Sequence, residues 1–176
     1  MKPSAAVWQC PLHRRRTHAV PGEGYPAATI MLVGEAPGEK EDRHGRPFIG
    51  PSGRFLIKLL EQNGLRREDV FITNSVKCRP PNNRFPHAKE LEICKRLWLR
   101  RQIELVNPDV IVLLGRAPLR QLLGTEATVT PLRGQFLQKD GRLYLIQYHP
   151  TAGLRSPEIR ATLQQDFQQL KRFVKP

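Results

Sequence analysis

Residues 28–38, Ala28-Thr29-Ile30-Met31-Leu32-Val33-Gly34-Glu35-Ala36-Pro37-Gly38, pass abruptly from an apolar run into an acidic turn rich in Gly and Pro. Three further apolar runs end in the same way: 70–73 before Asn74, 110–114 before Gly115, and 143–148 before His149. In a parallel α/β sheet, ligands bind in the crevice outside the carboxyl ends of the strands. The pattern therefore predicts one site where an acidic loop, an Asn and a His meet.

The segments between these runs have helical patterns. Apolar residues recur at helical spacing from Ser52 to Asn63, over 88–106, 117–123 and 157–174. Residues 135–138 and 143–147 flank Asp140-Gly141, a dipeptide typical of a tight hairpin turn. Alternating strands and helices predict an α/β fold. We expect a three-layer α/β/α sandwich around a central, mainly parallel four-stranded sheet, with one antiparallel addition.

Size and hydropathy limit the class of protein. The chain has 176 residues, and no linker rich in Ser and Gly divides it, so we expect one domain over 1–176. It has no apolar run of membrane-spanning length and no apolar leader near Met1. We therefore expect no membrane association and a cytoplasmic location.

The charge of the chain is strongly unbalanced. Lys and Arg number 29 against 16 Asp and Glu, a formal net charge of +13. Part of this excess, at Lys77, Arg79 and Arg84, adjoins the predicted site. A basic surface alone would be a common feature of soluble proteins, but basic residues beside the site favour a nucleic acid as the partner.

A set of motifs read together resembles one family. The turn at 34–38 lacks the Gly-x-Gly-x-x-Gly order and the Gly-Lys-Ser/Thr ending of nucleotide-binding loops. The motifs that accompany it are Glu41-Asp42, Gly45-Arg46-Pro47-Phe48-Ile49-Gly50, Thr73-Asn74-Ser75-Val76-Lys77-Cys78-Arg79-Pro80-Pro81 and His149-Pro150. The chain resembles, from about Cys10 to its last helix, the family 4 uracil-DNA glycosylases, the iron–sulfur branch of the uracil-DNA glycosylase superfamily.

The resemblance implies a base-excision chemistry on uracil-containing DNA. Such enzymes flip the damaged nucleotide into a pocket, stack its base and read its polar edge. Phe48 would be the stacking ring, and Asn74 would offer its carbonyl to uracil N3–H and its amide to O4. His149 would donate to O2, where negative charge develops as the glycosidic bond breaks. Without the motifs, Asn74 could equally be a turn residue, Phe48 a core aromatic and His149 a structural histidine.

Further roles follow from the same resemblance. Glu41 is the first choice for holding the attacking water and stabilising the cationic sugar. Glu35 is the second choice, since backbone amides of the turn could hold it against the base. Gly34, Glu35 and Ala36 would contact the base, and Asn83 is a lesser candidate. The segment 149–155 resembles a DNA-penetrating loop, with Leu154 as the wedge between base steps and Arg155 on phosphate.

The family's [4Fe–4S] cluster is held by four cysteines, and this chain departs from that pattern. Cys10, Cys78 and Cys94 match three ligand positions, but Val7 stands at the first. Thiolates are the usual ligands of such clusters. His13, His18, water or a small thiol could supply the fourth ligand, or the cluster could be lost; we expect a bound but labile cluster. We expect neither a nucleotide cofactor nor a divalent metal.

Two alternatives concern turnover. A related branch crosslinks itself to the uracil site through a His in an inserted basic loop; here Asn83 stands at that position and the insertion is absent, which favours turnover. The rival function is a non-catalytic nucleic-acid-binding module of the same fold. The presence of Phe48, Asn74 and His149 together with Glu41 argues for the enzyme, which we expect to be a monomer.

Overall fold

The computed structural model describes residues 9–124, 126 and 128–174. Within them, six strands form one sheet in the order β1-β3-β2-β4-β6-β5. The strands are β1 (Glu23–Gly24), β2 (Ile30–Gly34), β3 (Phe71–Asn74), β4 (Val110–Leu114), β5 (Phe136–Lys139) and β6 (Arg142–Gln147). Strands β3, β2, β4 and β6 are mutually parallel. They are the four strands expected from the sequence, so the predicted parallel core is confirmed.

The register brings the ends of these strands to one edge. Gly34 pairs with Asn74 across β2 and β3, and Leu114 pairs with Gln147 across β4 and β6. Every residue of β2 and β4 is buried, as expected for strands covered on both faces. The acidic turn, Asn74 and the segment that begins at His149 therefore leave the sheet at the same edge.

The two edge strands differ in how well the sequence predicts them. The β5–β6 hairpin turns at Asp140 and Gly141, which have φ of 50° and 72°, as the Asp-Gly dipeptide predicts. Strand β1 was not predicted, and it makes the sheet six-stranded rather than four-stranded with one addition. It pairs antiparallel with β3, placing Glu23 opposite Ile72. Two residues, one of them charged, are too short to give an alternating apolar pattern.

The helices fill the two outer layers. They are α1 (Glu39–His44), α2 (Pro51–Glu61), α3 (Ala88–Cys94), α4 (Arg100–Val106), α5 (Arg116–Pro118), α6 (Val129–Leu132), α7 (Pro150–Arg155) and α8 (Pro157–Phe167). Short 3₁₀ segments are Pro11–Arg14, Arg67–Asp69, Pro81–Asn83 and Gln168–Phe173, and π-helical turns are Lys95–Leu99 and Leu119–Leu123. Among the described residues, no helix combines the length and the apolar character needed to cross a membrane.

The long helix expected over 88–106 is present, with a π-helical turn between α3 and α4. The wider turn shifts the phase of the helical face, so Leu99 is fully buried while Leu97 and Trp98 are only half-buried. For the helix over 88–106 the sequence predicts an apolar face of Leu91, Cys94, Leu97, Trp98 and Ile103; the structure buries Leu91, Cys94 and Ile103 but replaces the middle of this face by Leu99.

Two buried clusters line the two faces of the sheet. On one face, Leu56 and Leu59 of α2 and Leu163 and Phe167 of α8 pack with β-strand residues such as Leu32. On the other face, Leu99 and Ile103 pack with Met31, Val33 and Leu113. Helices on both faces of a mostly parallel sheet make the three-layer arrangement that the sequence predicts.

Candidate active site

A cavity of about 560 Å³ opens at the carboxyl ends of the parallel strands. Its lining residues are Glu35, Ala36, Pro37, Gly38, Glu41, Phe48, Ser52, Asn74, Pro80, Asn83, Arg84, His149, Thr151, Ala152 and Arg155. Predicted site residues from five separate parts of the sequence are thus brought to one place. Gly34 and Leu154, also predicted, are not among the lining residues.

Gly34 lies where Asn74 and Phe48 approach each other. A Cβ added at Gly34 would be 2.5 Å from Asn74 Oδ1 and 2.5 Å from Phe48 Cζ, both far inside van der Waals contact. Asn74 is 2 % exposed, and its Oδ1 has no hydrogen-bond partner among the described residues. A buried carbonyl without a donor carries a large desolvation cost. The cavity therefore contains a fixed acceptor, next to an aromatic ring, that a ligand N–H could satisfy.

The loop that carries Phe48 is held by Glu41. Oε1 of Glu41 accepts hydrogen bonds from the backbone N–H of Ile49 at 2.9 Å and of Gly50 at 2.7 Å. Glu41 is 8 % exposed, and its Oε2 lies close to Gly38, where an added Cβ would be 2.8 Å away. Backbone amides thus hold Glu41, whereas the sequence led us to expect this of Glu35.

Glu35 has a different environment. Burial raises the pKa of its carboxyl group, and the positive charge of Arg116 opposes that rise. The Arg116 guanidinium lies 4.1 Å from the centroid of the Phe85 ring, a cation–π contact that restrains it. Two carboxylates therefore line one cavity in distinct states: one anchored by amides and one desolvated.

His149 follows β6 and begins α7. Its Nδ1 accepts the backbone N–H of Thr151 at 3.2 Å, and the Thr151 hydroxyl lies 3.0 Å from the same nitrogen. Because Nδ1 accepts a hydrogen bond from an N–H group, the neutral ring carries its proton on Nε2. Desolvation lowers the pKa of His149 to about 4, so the ring is neutral at neutral pH. The ring stacks on Phe48 with centroids 5.8 Å apart.

Lys77 corrects the expectation of a basic surface cluster at 77, 79 and 84. It is 2 % exposed, and its Nζ donates to Thr73 Oγ1 at 2.6 Å and to the main-chain oxygen of Asn74 at 2.7 Å. Burial lowers the pKa of Lys77 to about 7. Its side chain therefore supports the end of β3 from inside the protein and does not contribute to a DNA-facing surface.

Within the segment 149–155, Pro150–Arg155 form helix α7 with His149 as its N-cap, where the resemblance implied a loop. Pro150 occupies its first turn, where a missing N–H costs nothing. Leu154 is 39 % exposed near the end of this helix, so it is not the buried leucine that a purely structural role would require. Arg155 is exposed and lines the cavity.

Asn83 is exposed at the rim of the cavity. It has φ of 53°, in the left-handed region that Asn tolerates better than most residues. Its Oδ1 accepts a hydrogen bond from Arg79 Nε at 2.7 Å. The side chain thus lies near the cavity but is already engaged.

The comparison with known proteins decides the family. The model of the family described as "Uracil DNA glycosylase superfamily" matches residues 21–172. The chain belongs to this superfamily. It is 44 % identical over 175 residues to a type-4 uracil-DNA glycosylase of Sulfurisphaera tokodaii, covering 94 % of this chain and 79 % of that protein. It is 45 % identical over 170 residues to a type-4 uracil-DNA glycosylase of Thermotoga maritima, covering 94 % and 88 %. The resemblance to the type-4 branch is confirmed.

Another branch of the superfamily is also similar. A type-5 uracil-DNA glycosylase of Thermus thermophilus is 38 % identical over 150 residues, covering 74 % of this chain and 68 % of that protein. The identity and the coverage are both lower than for the type-4 proteins, in keeping with the motifs quoted from the sequence.

The three cysteines that match the superfamily's iron–sulfur branch lie together. Cys10, Cys78 and Cys94 are all buried in one apolar cluster, at the start of the Pro11–Arg14 segment, after β3 and at the end of α3. A hydrogen bond with Cys94 lowers the pKa of Cys10 to about 7, while burial raises the pKa of Cys78. Arg16 donates to Cys78 Sγ at 3.1 Å. Thiols from three elements thus share one buried place.

Val7, the position of the fourth family cysteine, lies outside the described residues. Over residues 9–124, 126 and 128–174, no group of three or more His, Cys, Asp or Glu side chains is arranged for a metal ion. Of the alternative ligands, His18 has its Nδ1 2.9 Å from the main-chain oxygen of Asp42, and His13 has its Nδ1 2.8 Å from that of Cys10.

Two lining residues, Ser52 and Thr151, were not predicted as site residues, and neither carries a pattern that separates it from an ordinary cap or surface residue. Arg84, expected beside the site for its charge, also lines the cavity. Thr151 could have been found from its place two residues after His149, where its amide can reach the ring. Arg84 is bound to Glu90 through two hydrogen bonds, at 2.8 and 2.7 Å.

Proposed function

We propose that this chain is a uracil-DNA glycosylase that removes uracil from DNA by hydrolysing the N-glycosidic bond, releasing free uracil and leaving an abasic site. The observation that carries the proposal is the buried, unpartnered Oδ1 of Asn74 beside the ring of Phe48, at the glycine that lets them approach. Uracil has the N3–H donor that this acceptor requires. Its neighbouring O4 would accept from the Asn74 amide.

The same pair of groups accounts for rejection of cytosine. Cytosine has no proton on N3 and carries an amino group at position 4, so both Asn74 contacts would become mismatched. A site that buries polar groups for one ligand rejects an analogue that leaves them unpaired. Phe48 would stack on the flipped base, and Gly34, Glu35 and Ala36 would lie along its edge.

Bond cleavage would proceed with charge separation. As the C1′–N1 bond breaks, its electron pair moves onto the base, and His149 Nε2–H donates to the negative charge that develops at O2. The sugar becomes cationic, and water adds to C1′. The proton that this water loses passes to solvent, and the departing uracil anion takes up one proton from solvent, so that free uracil and a neutral abasic sugar result. We propose Glu41, through Oε2, as the carboxylate that holds this water and stabilises the sugar, with Glu35 as the alternative.

DNA would approach across the rim of the cavity. Leu154, exposed on α7, is suited to fill the space left by the flipped base, and Arg155 to contact a backbone phosphate. Asn83, whose Oδ1 accepts from Arg79, would contact the substrate through its amide nitrogen. We further propose that residues 1–176 form one domain that acts as a monomer in the cytoplasm, with uracil-containing DNA as its partner and without nucleotide or divalent metal.

Cys10, Cys78 and Cys94 would hold a [4Fe–4S] cluster, which we propose as a structural group. Their common buried place supports this, since Cys thiolates are the usual ligands of such clusters. The cluster would tie the N-terminal segment to α3 and to the loop after β3. The reaction described above uses none of these residues.

The proposal is tested with matched oligonucleotides. Purified protein is incubated with a strand containing one uracil and with the same strand containing thymine, in EDTA, and abasic sites are revealed by alkaline cleavage. We expect cleavage and free uracil from the first strand alone. Binding of both strands without release of uracil would support the non-catalytic module instead.

A further inference from the structure

Phe48 has an uncommon backbone conformation for an aromatic residue. Its φ is 51°, in the left-handed region, where the Cβ of an L-residue crowds the following carbonyl. The residue is also 5 % exposed, and its ring stacks on His149. A non-glycine residue keeps such a conformation only when its surroundings hold it there.

The carbonyl groups of this loop are held by Arg67. Its Nη1 donates to the oxygen of Phe48 at 2.9 Å, and its Nη2 donates to the oxygen of Pro47. Arg67 lies in the 3₁₀ segment before β3, nineteen residues from Phe48 along the chain. Its side chain is 20 % exposed, so these hydrogen bonds are partly shielded from water.

The third side of the guanidinium is fixed by Glu23 of β1. Arg67 Nε donates to Glu23 Oε1 at 2.7 Å, and the other carboxylate oxygen accepts from Arg46 Nε at 2.9 Å. The hydrogen bond with Arg46, and next the one with Arg67, lower the pKa of Glu23, so this carboxylate is ionised at neutral pH. The edge strand that the sequence did not predict thus orients Arg67.

The loop is restrained from its other side as well. Glu41 accepts the N–H groups of Ile49 and Gly50, directly after Phe48. Helix α2 packs so closely that a Cβ at Gly53 would be 1.9 Å from the oxygen of Phe48. The backbone of α2 therefore covers one side of the Phe48 carbonyl oxygen. Arg67 donates a hydrogen bond to this oxygen from the side that α2 leaves free.

The geometry points to Arg67 as the positioning residue for the base-stacking ring: its guanidinium fixes the backbone of Pro47 and Phe48, and Glu23 fixes the guanidinium. The inference rests on the proposed function, in which Phe48 stacks on uracil. Arg67 does not line the cavity and acts through Phe48 alone. A planar, forked donor is required, because the three N–H groups of a Lys ammonium diverge from one nitrogen, whereas Arg67 reaches its three acceptors from three separate nitrogens.

The test compares Arg67→Gln with Arg66→Gln by single-turnover excision of uracil from an oligonucleotide. Arg66 is the matched control, since it is adjacent, exposed and bound to Asp69 within its own segment. We expect Arg67→Gln to lower the rate by roughly 10–100-fold, the range typical of a misplaced catalytic site. The single-turnover rate of Arg66→Gln should stay within about twofold of wild type, a change too small to indicate that the Phe48 ring has moved. Arg67→Lys should recover only part of the loss.

Combination with Phe48→Ala separates positioning from general stability. If Arg67 acts through the ring, Arg67→Gln should lower the rate little further once the ring is absent. An equal loss in both backgrounds, or an Arg67→Gln rate equal to that of Arg66→Gln, would overturn the inference. If Arg67→Gln does not fold, Glu23→Gln tests the same restraint, with the same requirement of non-additivity with Phe48→Ala. A wild-type protein that releases no uracil would instead refute the proposed function.

Discussion

The cavity and the buried cluster of three cysteines differ in the environment of their polar side-chain atoms. In the cavity, hydrogen bonds from backbone amides hold Glu41, and one buried acceptor, Asn74 Oδ1, has no partner among the described residues. In the cysteine cluster, Cys10, Cys78 and Cys94 lie in an apolar setting, and their fourth family position is a Val. If the proposed function is correct, the chemistry depends on the cavity, and the three cysteines contribute to stability. Substitutions in the two regions should therefore change different measurements.

The largest loss should follow His149→Ala. Removing a donor to the developing anion costs roughly 10²–10³ in rate at comparable sites. The single-turnover rate on a uracil oligonucleotide should fall by that factor, with little change in DNA affinity or iron content. A rate equal to wild type would remove His149 from the mechanism and would weaken the assignment of chemistry to the cavity.

The pH dependence of stability should also report on His149. Its pKa is about 4 in the folded protein, below the ordinary value near 6.5, so the unfolded chain binds the proton more tightly. Above the unfolded pKa, His149 does not lower the free energy of unfolding. As pH falls from about 6.5 towards 4, its protonation in the unfolded chain lowers the free energy of unfolding by up to about 3 kcal/mol. Urea unfolding of wild type and His149→Gln should converge at low pH. Parallel curves for the two proteins would contradict the shifted pKa.

Changes at Asn74 should alter which base is removed. Asn74→Ala removes both contacts, and uracil excision should fall by about 10²-fold, within the range for a lost polar base contact. Asn74→Asp replaces the amide donor by an acceptor, which should weaken uracil removal and admit cytosine, whose amino group needs an acceptor. Excision is measured on uracil, cytosine and thymine strands. Wild-type uracil rates in both variants would end the base-recognition role.

The two carboxylates can be ranked by the same assay. Glu41→Gln keeps the size of the side chain but loses the charge proposed to stabilise the sugar, so we expect a fall of at least about tenfold, as for other charge-stabilising groups. Glu35→Gln, which removes a buried carboxylate not held by the two amides of the Phe48 loop, should cost less. Thermal unfolding of both variants is the control for folding. A much larger loss at Glu35 would exchange their roles.

The sequence predicted the parallel core because buried strands and amphipathic helices have distinct periodicities. It also predicted that the acidic turn, Asn74 and His149 share one edge, since strand ends share that edge, whereas Phe48 was assigned to the site by the resemblance alone. It could not predict β1, whose two residues carry no pattern. It also could not predict the π-helical turn, which buries Leu99 in place of Leu97 and Trp98. The sequence wrongly predicted Lys77 on the surface, because a charge alone favours exposure. Folding brings its two acceptors, Thr73 Oγ1 and the main-chain oxygen of Asn74, within hydrogen-bond distance.

The smallest effect on excision should come from the cysteine cluster. With three thiols and a missing fourth, a bound cluster should lose iron readily in air. We expect anaerobically purified protein to be brown, with broad absorbance near roughly 400 nm and up to about four irons per chain, the features of iron–sulfur charge transfer.

Val7→Cys should increase iron retention and thermal stability, while the single-turnover rate stays near wild type because no cysteine lines the cavity. The matched control is Val174→Cys, which adds a thiol on an exposed valine near the other end of the described chain. Colourless, iron-free protein that is fully active and unaltered by Val7→Cys would show that Cys10, Cys78 and Cys94 are ordinary buried thiols.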